Sequence, residues 1–161
     1  MAALVHAGIG LGITRWAPKV HVAVLVLCAY ALDLIWHALC FVGVEHYPSP
    51  GPWSHGLFMS VVWSIVGVLV AWGWSRNLRT GVLIGLVVFS HWIVDFITHP
   101  MTALIPTDPG LALFFNESHG VGLGSYKSKL AFYICETAVL IPGAVIYLLT
   151  LRRLKQERAT S

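Results

Sequence analysis

Four long apolar runs constrain this chain more than any other feature. They cover residues 20–44, 55–74, 80–98 and 130–151. At 1.5 Å of rise per residue, each is long enough as a helix to cross a hydrocarbon core of about 30 Å. Lipid offers no partner to a backbone N–H or C=O, so such a run crosses as a helix with its hydrogen bonds closed inside the segment. Barrel strands read as short alternating segments, and these runs do not alternate. Composition agrees: 57% of residues are hydrophobic and 11% charged, whereas a soluble domain carries about 25% charged residues. The expected fold is all-α, an integral membrane bundle of about four transmembrane helices forming a single domain over residues 1–161.

Residues 1–14 form a fifth, shorter apolar piece. It falls short of a full span and reads as a half-helix, a re-entrant segment or an interfacial helix. It lacks the basic start and the cleavage site of a signal peptide. Eight of the ten Lys and Arg residues fall in three groups: Arg15 and Lys19 before the first run, Arg76 and Arg79 between the second and third, and Arg152, Arg153, Lys155 and Arg158 after the fourth; Lys127 and Lys129, just before the fourth run, break the pattern mildly. With four alternating spans all three groups share one side, which the positive-inside rule makes cytoplasmic. That places the protein in the inner membrane as a multi-pass protein with a basic cytoplasmic tail, residues 152–161. The opposite side receives a Pro- and Gly-rich loop, residues 45–54, and a long loop, residues 100–128, expected to be irregular. The positive charge serves orientation, so no nucleic-acid partner is expected; the partner is membrane lipid. Cys28, Cys40 and Cys135 lie in apolar stretches without a CxxC pair and read as small hydrophobes.

Ionisable groups within the spans carry the functional signal, because each costs at least ~2.5–3.5 kcal/mol at the bilayer centre. The first run holds Asp33 and His37, and the third holds His91, Asp95 and His99. Residues four apart share a helix face, so each set is expected to form a stripe. Pro100 follows His99 and tends to pull it out of line. His55 opens the second run and Glu136 lies about two turns into the fourth. All are expected at similar depth in the outer half of the membrane. Imidazole and carboxylate ligands together suit a divalent metal, zinc above all. The ligand set expected is His55, His91, Asp95, Asp33, His37 and His99, with Glu136 as general base. The number of ligands fits either two metals or one metal with an acid/base residue. His6 and His119 are weaker candidates. His21 and His46 read as interfacial, and Asp108 and Glu117 as solvated loop charges. For any one of these residues, helix–helix hydrogen bonding is the ordinary role. Their common depth is what favours a site.

The pattern resembles a family of small bacterial and archaeal integral-membrane proteins known as membrane-bound metal-dependent hydrolases. The matching pieces are His6-Ala-Gly-Ile-Gly, Asp33, Ser54-His55-Gly-Leu, Ser90-His91-Trp-Ile-Val-Asp95-Phe-Ile-Thr-His99, and Val121-Gly-Leu-Gly-Ser-Tyr-Lys-Ser followed by Glu136. Together they cover about residues 3 to 150. The chain departs from the family in carrying His37 beside Asp33, where an acidic pair is usual, and Ser54, where Thr is usual. The His-x-x-x-Asp element is also similar, locally, to helical zinc ligands of bacterial phospholipase C. The resemblance implies a membrane-embedded metal-dependent hydrolase acting on a lipid or lipid-linked ester or phosphoester. Two other readings use the same residues: a metal-binding or transport protein, and a haem-binding or structural accessory subunit of a membrane complex.

Overall fold

The structure is a computed structural model that describes residues 3–100, 108–116 and 120–160. It is built almost wholly of helices: α1 (Ala3–Gly12), a 3₁₀ turn (Ile13–Arg15), α2 (Val22–Ala29), α3 (Ala31–Phe41), α4 (Pro52–His55), α5 (Leu57–Ser75), α6 (Leu78–Thr98) and α7 (Lys129–Thr160). Helices α5, α6 and α7 are each long and apolar enough to cross a membrane. The α2–α3 pair passes the same test as one broken span, bent by 60°.

Three expectations change. The first run is not one helix. Its chain turns at Tyr30, and the break lets α3 set out in a new direction with Asp33 in its first turn. The second run does not begin with His55, because α4 ends there and Gly56 adopts an extended conformation before α5 starts. Only glycine fits at that corner: a Cβ would lie 2.4 Å from the Pro52 carbonyl oxygen. In the long loop, β1 (Leu111–Ala112) and β2 (Gly120–Val121) pair antiparallel, Leu111 opposite Val121 and Ala112 opposite Gly120. The basic tail is helical, continuing α7 through Pro142 to Thr160.

Helix α6 is the central element. Of its apolar stretch 44% is buried, against 11% for α5 and 17% for α7. The large apolar side chains left outside, among them Leu69, Val70, Leu86, Ile134 and Leu148, form the surface expected of a lipid-facing bundle. The N-terminal segment forms the ten-residue helix α1, which lies along α7. A Cβ on Gly143 would stand 2.0 Å from the Gly8 carbonyl oxygen, so the two backbones meet at a distance only small residues allow. That contact sets the depth of His6.

One apolar cluster, Ala17, Val20, Leu25, Ala71 and Ile84, closes the end where the basic groups gather. There Arg15, Arg79 and Arg153 line a common cavity of about 190 Å³. Two further clusters, Val5–Val94–Tyr126 and Leu32–Val88–Trp92–Leu111, flank the last turns of α6. The polar residues of α6 are held between these two.

Candidate metal centre

His91 and Asp95 sit on consecutive turns of α6, both almost completely buried. Around them stand Asp33 from α3, His55 from α4, His6 from α1, and His99 where α6 ends. The end of α6 is held by the segment after β2. The N–H groups of Leu123, Ser125 and Gly124 donate to the carbonyls of Phe96, Ile97 and His99 at 2.7, 3.0 and 2.7 Å. The last carbonyls of a helix otherwise lack partners, and here the Val121–Ser128 stretch supplies them.

Four ligand atoms face one another. His55 Nε2 is 3.3 Å from His91 Nε2, 3.4 Å from Asp33 Oδ1 and 3.6 Å from Asp95 Oδ2. His91 Nε2 is 3.7 Å from Asp33 Oδ1 and 3.3 Å from Asp95 Oδ2. Asp33 and Asp95 thus lie to either side of the shared His55–His91 edge. The triad His55, His91 and Asp95, with edges of 3.3, 3.3 and 3.6 Å, leaves a point about 2.0 Å from all three atoms, close to zinc–nitrogen and zinc–oxygen bond lengths of ~2.0–2.2 Å.

The far side of each ring decides which nitrogen is free. His91 Nδ1 lies 2.7 Å from the Ala29 carbonyl oxygen, which only accepts, so Nδ1 carries the proton. The Ser54 hydroxyl donates to Glu45 Oε2 at 2.6 Å, and its oxygen accepts from His55 Nδ1–H at 2.8 Å. His99 Nδ1–H donates to the Asp108 carboxylate in a short hydrogen bond. In each neutral ring the Nε2 lone pair is therefore turned inward. Two such lone pairs 3.3 Å apart, beside two carboxylates, require positive charge between them. Orienting a ligand histidine through its other nitrogen is the usual supporting arrangement of a metal site.

The candidate residues part company here. His55, His91, Asp95, Asp33 and His99 converge, and so does His6, the weaker candidate. His37 does not. It is exposed, with its Nδ1 2.9 Å from the Tyr47 hydroxyl, while Asp33 one turn earlier faces the centre. A shared helix face leaves a pair of residues free to part when different neighbours hold them.

Glu136 is buried but occupied elsewhere. Its Oε2 accepts from the Leu4 and Val5 N–H groups, both at 2.8 Å, and its Oε1 from the Tyr126 hydroxyl at 2.6 Å. It caps α1, where a carboxylate meets the positive end of the helix dipole. Burial, then the carboxylate beside it, pushes the Tyr126 phenol well above its ordinary range. Asp108, expected as a solvated loop charge, instead orients His99 and accepts from Gly110 N–H at 2.8 Å. His119 and Glu117 lie outside the described residues.

Glu45 and Trp36 escaped the reading of the sequence. Glu45 sits in a Pro- and Gly-rich loop, where an acid ordinarily faces water; only its nearness to Ser54-His55 hinted otherwise. Its Oε1 accepts from the Trp53 and Ser54 N–H groups at 2.7 and 2.9 Å. Trp36 is buried, and its indole N–H has no hydrogen-bond partner among the described residues. With Asp33, His55, Asp95 and His99 it lines a chamber of about 30 Å³, enough for one or two waters. Asp33 is the member most open to it, with a side-chain exposure of 25% against 6% or less for the others. Beyond a wall of Pro48, Ser49, Pro50, Pro109 and Gly110 lies a larger cavity of about 430 Å³, faced by Glu45, Tyr47, Trp53 and Phe115.

No known protein family matches the chain, and no curated protein or solved structure is significantly similar to it.

Proposed function

We propose that this chain is a membrane-embedded metal-dependent hydrolase of the family it resembles, acting on a lipid or lipid-linked ester or phosphoester. The observation that carries the reading is the triad of His55 Nε2, His91 Nε2 and Asp95 Oδ2, with edges of 3.3–3.6 Å, and Asp33 Oδ1 at 3.4 and 3.7 Å from the two imidazoles on their other side. Zinc is the metal whose bond lengths those edges fit. When bound, it would polarise a substrate oxygen and lower the pKa of a coordinated water towards ~7.

The chain's own residues divide the remaining work. Ser54 and Glu45 hold the His55 ring, the Ala29 carbonyl holds His91, and the α6 backbone holds Asp95. Asp33, open to the chamber, is placed to take a proton from a water there through the oxygen it does not turn to the histidines. Trp36 offers an unpaired indole N–H to a substrate oxygen. The 430 Å³ cavity beside the chamber is large enough for a polar headgroup, while acyl chains remain in lipid. The gathering of Arg15, Arg79 and Arg153 at the opposite end supports an inner-membrane orientation, with the C-terminus cytoplasmic and the site in the outer half. Asp33 and Asp95 stand 3.3–3.7 Å from both Nε2 atoms, in the space a porphyrin ring would need, which favours a bare ion over haem.

The test is elemental analysis of the detergent-purified protein, followed by assay against aryl phosphodiesters and short-chain phospholipids. Bound zinc with hydrolysis, both lost in His55→Ala and Asp95→Asn, supports the reading. Wild-type protein that takes up no divalent metal after reconstitution ends it, and the cluster becomes a helix-packing network of protonated histidines and aspartates.

A further inference from the structure

His6 is unexplained by a four-ligand site. It is fully buried, and neither of its ring nitrogens has a hydrogen-bond partner among the described residues. A polar group stranded in this way is destabilising, and a helix so tightly packed against α7 would keep an alanine there more cheaply. Its ring lies parallel to that of His91, centroids 3.8 Å apart and planes 3° apart. Two parallel rings thus address the same carboxylate, but not the same oxygen. His91 Nε2 is 3.3 Å from Asp95 Oδ2, whereas His6 Nε2 is 3.5 Å from Asp95 Oδ1. His99 Nε2 approaches Oδ1 as well, at 3.9 Å, with its Nδ1 proton engaged by Asp108.

We propose that Asp95 bridges two metal ions: one within His55, His91 and Asp95 Oδ2, with Asp33 beside it, the other held by His6, His99 and Asp95 Oδ1. Each Asp95 oxygen then has two imidazoles of its own. His6 Nε2 and His99 Nε2, 3.5 and 3.9 Å from Oδ1, are each close enough to share an ion with that oxygen, and paired ions in two-metal sites stand ~3.5–4 Å apart. Such a pair holds both the attacking and the leaving oxygen of a phosphoester during displacement. The inference deepens the metal reading above and rests on it.

The experiment is titration of the apo protein in detergent with Zn²⁺ and with Mn²⁺, reading stoichiometry by elemental analysis and Mn²⁺ pairing by electron paramagnetic resonance. Wild type is expected to take about two equivalents and to show an exchange-coupled Mn²⁺ spectrum. His6→Ala/His99→Ala is expected to keep about one equivalent, now with the spectrum of isolated Mn²⁺, and the retained ion shows that the fold survives. His6→Gln alone, which keeps a polar side chain, is expected to weaken the second equivalent at least tenfold. A wild type that binds one equivalent, unchanged in the His6/His99 double variant, overturns the second ion and leaves the first standing. A wild type that binds none overturns both.

Discussion

Replacing Glu136 separates a structural from a chemical role for the most deeply placed acid of α7. Its carboxylate accepts three hydrogen bonds, two of them buried, from Val5 N–H and the Tyr126 hydroxyl, and a partly buried one from Leu4 N–H. Glu136→Ala leaves two donors, Val5 N–H and the Tyr126 hydroxyl, without a partner where water does not reach. At about 1–3 kcal/mol for each stranded group, and with relaxation recovering part, the net loss is about 2–4 kcal/mol. Glu136→Gln is milder. Its amide oxygen still accepts from the α1 N–H groups, and its NH₂ donates to the Tyr126 oxygen, so only the charge-assisted part is lost, about 1–2 kcal/mol. Tyr126→Phe breaks one bond of the three and belongs with Gln. Cys135 adjoins Glu136 and is only partly buried, so thermal unfolding followed with a thiol-reactive dye in detergent reads the event where it occurs. The expected order of midpoints is wild type, then Tyr126→Phe and Glu136→Gln together, then Glu136→Ala well below. Because α1 carries His6, the Ala variant should also lose the second metal ion before the first. A Glu136→Ala protein that keeps the wild-type midpoint and metal content but no longer hydrolyses would refute the capping argument and return Glu136 to the chemistry.

Three further outcomes follow from the same geometry. Ser54→Ala removes the hydroxyl that links Glu45 to His55 and is expected to weaken zinc binding 10- to 100-fold by competition with a chelating indicator. His37→Ala removes only a surface contact with Tyr47; metal content and activity should stay at wild-type level, and a lost equivalent would put His37 back among the ligands. The Tyr126 phenol is raised on folding. Its contribution to stability is intact below the ordinary tyrosine value of about 10 and declines as pH rises past it, because only the unfolded phenol then ionises. The difference in midpoint between wild type and Tyr126→Phe should therefore be constant from pH 7 to 9 and shrink above pH 10.

Much of the architecture is legible in the chain because the solvent imposes it. Runs of apolar residues 20 or so long have one low-energy conformation in lipid, and the structure has helices α5, α6 and α7 where those runs lie. His91 and Asp95 were readable for a similar reason. They share one regular helix, and four-residue spacing fixes their relative direction. The same rule fails for Asp33 and His37, which share α3, because their neighbours differ: Asp33 turns to His55 and His37 to the Tyr47 hydroxyl.

What the sequence determined alone is thus a helical, lipid-compatible chain with ionisable groups clustered in depth. Local spacing and the cost of exposing backbone to hydrocarbon are enough for that. Tertiary structure decided the membership of the site. His6 enters because Gly8 and Gly143 let α1 lie against α7, Glu45 because the loop folds back over Ser54, and Asp108 because the segment after α6 turns towards His99. Glu136 leaves the ligand field because the amide ends of α1 claim its oxygens. Contacts between residues as far apart as 132 positions depend on how whole helices pack, and no local periodicity encodes them.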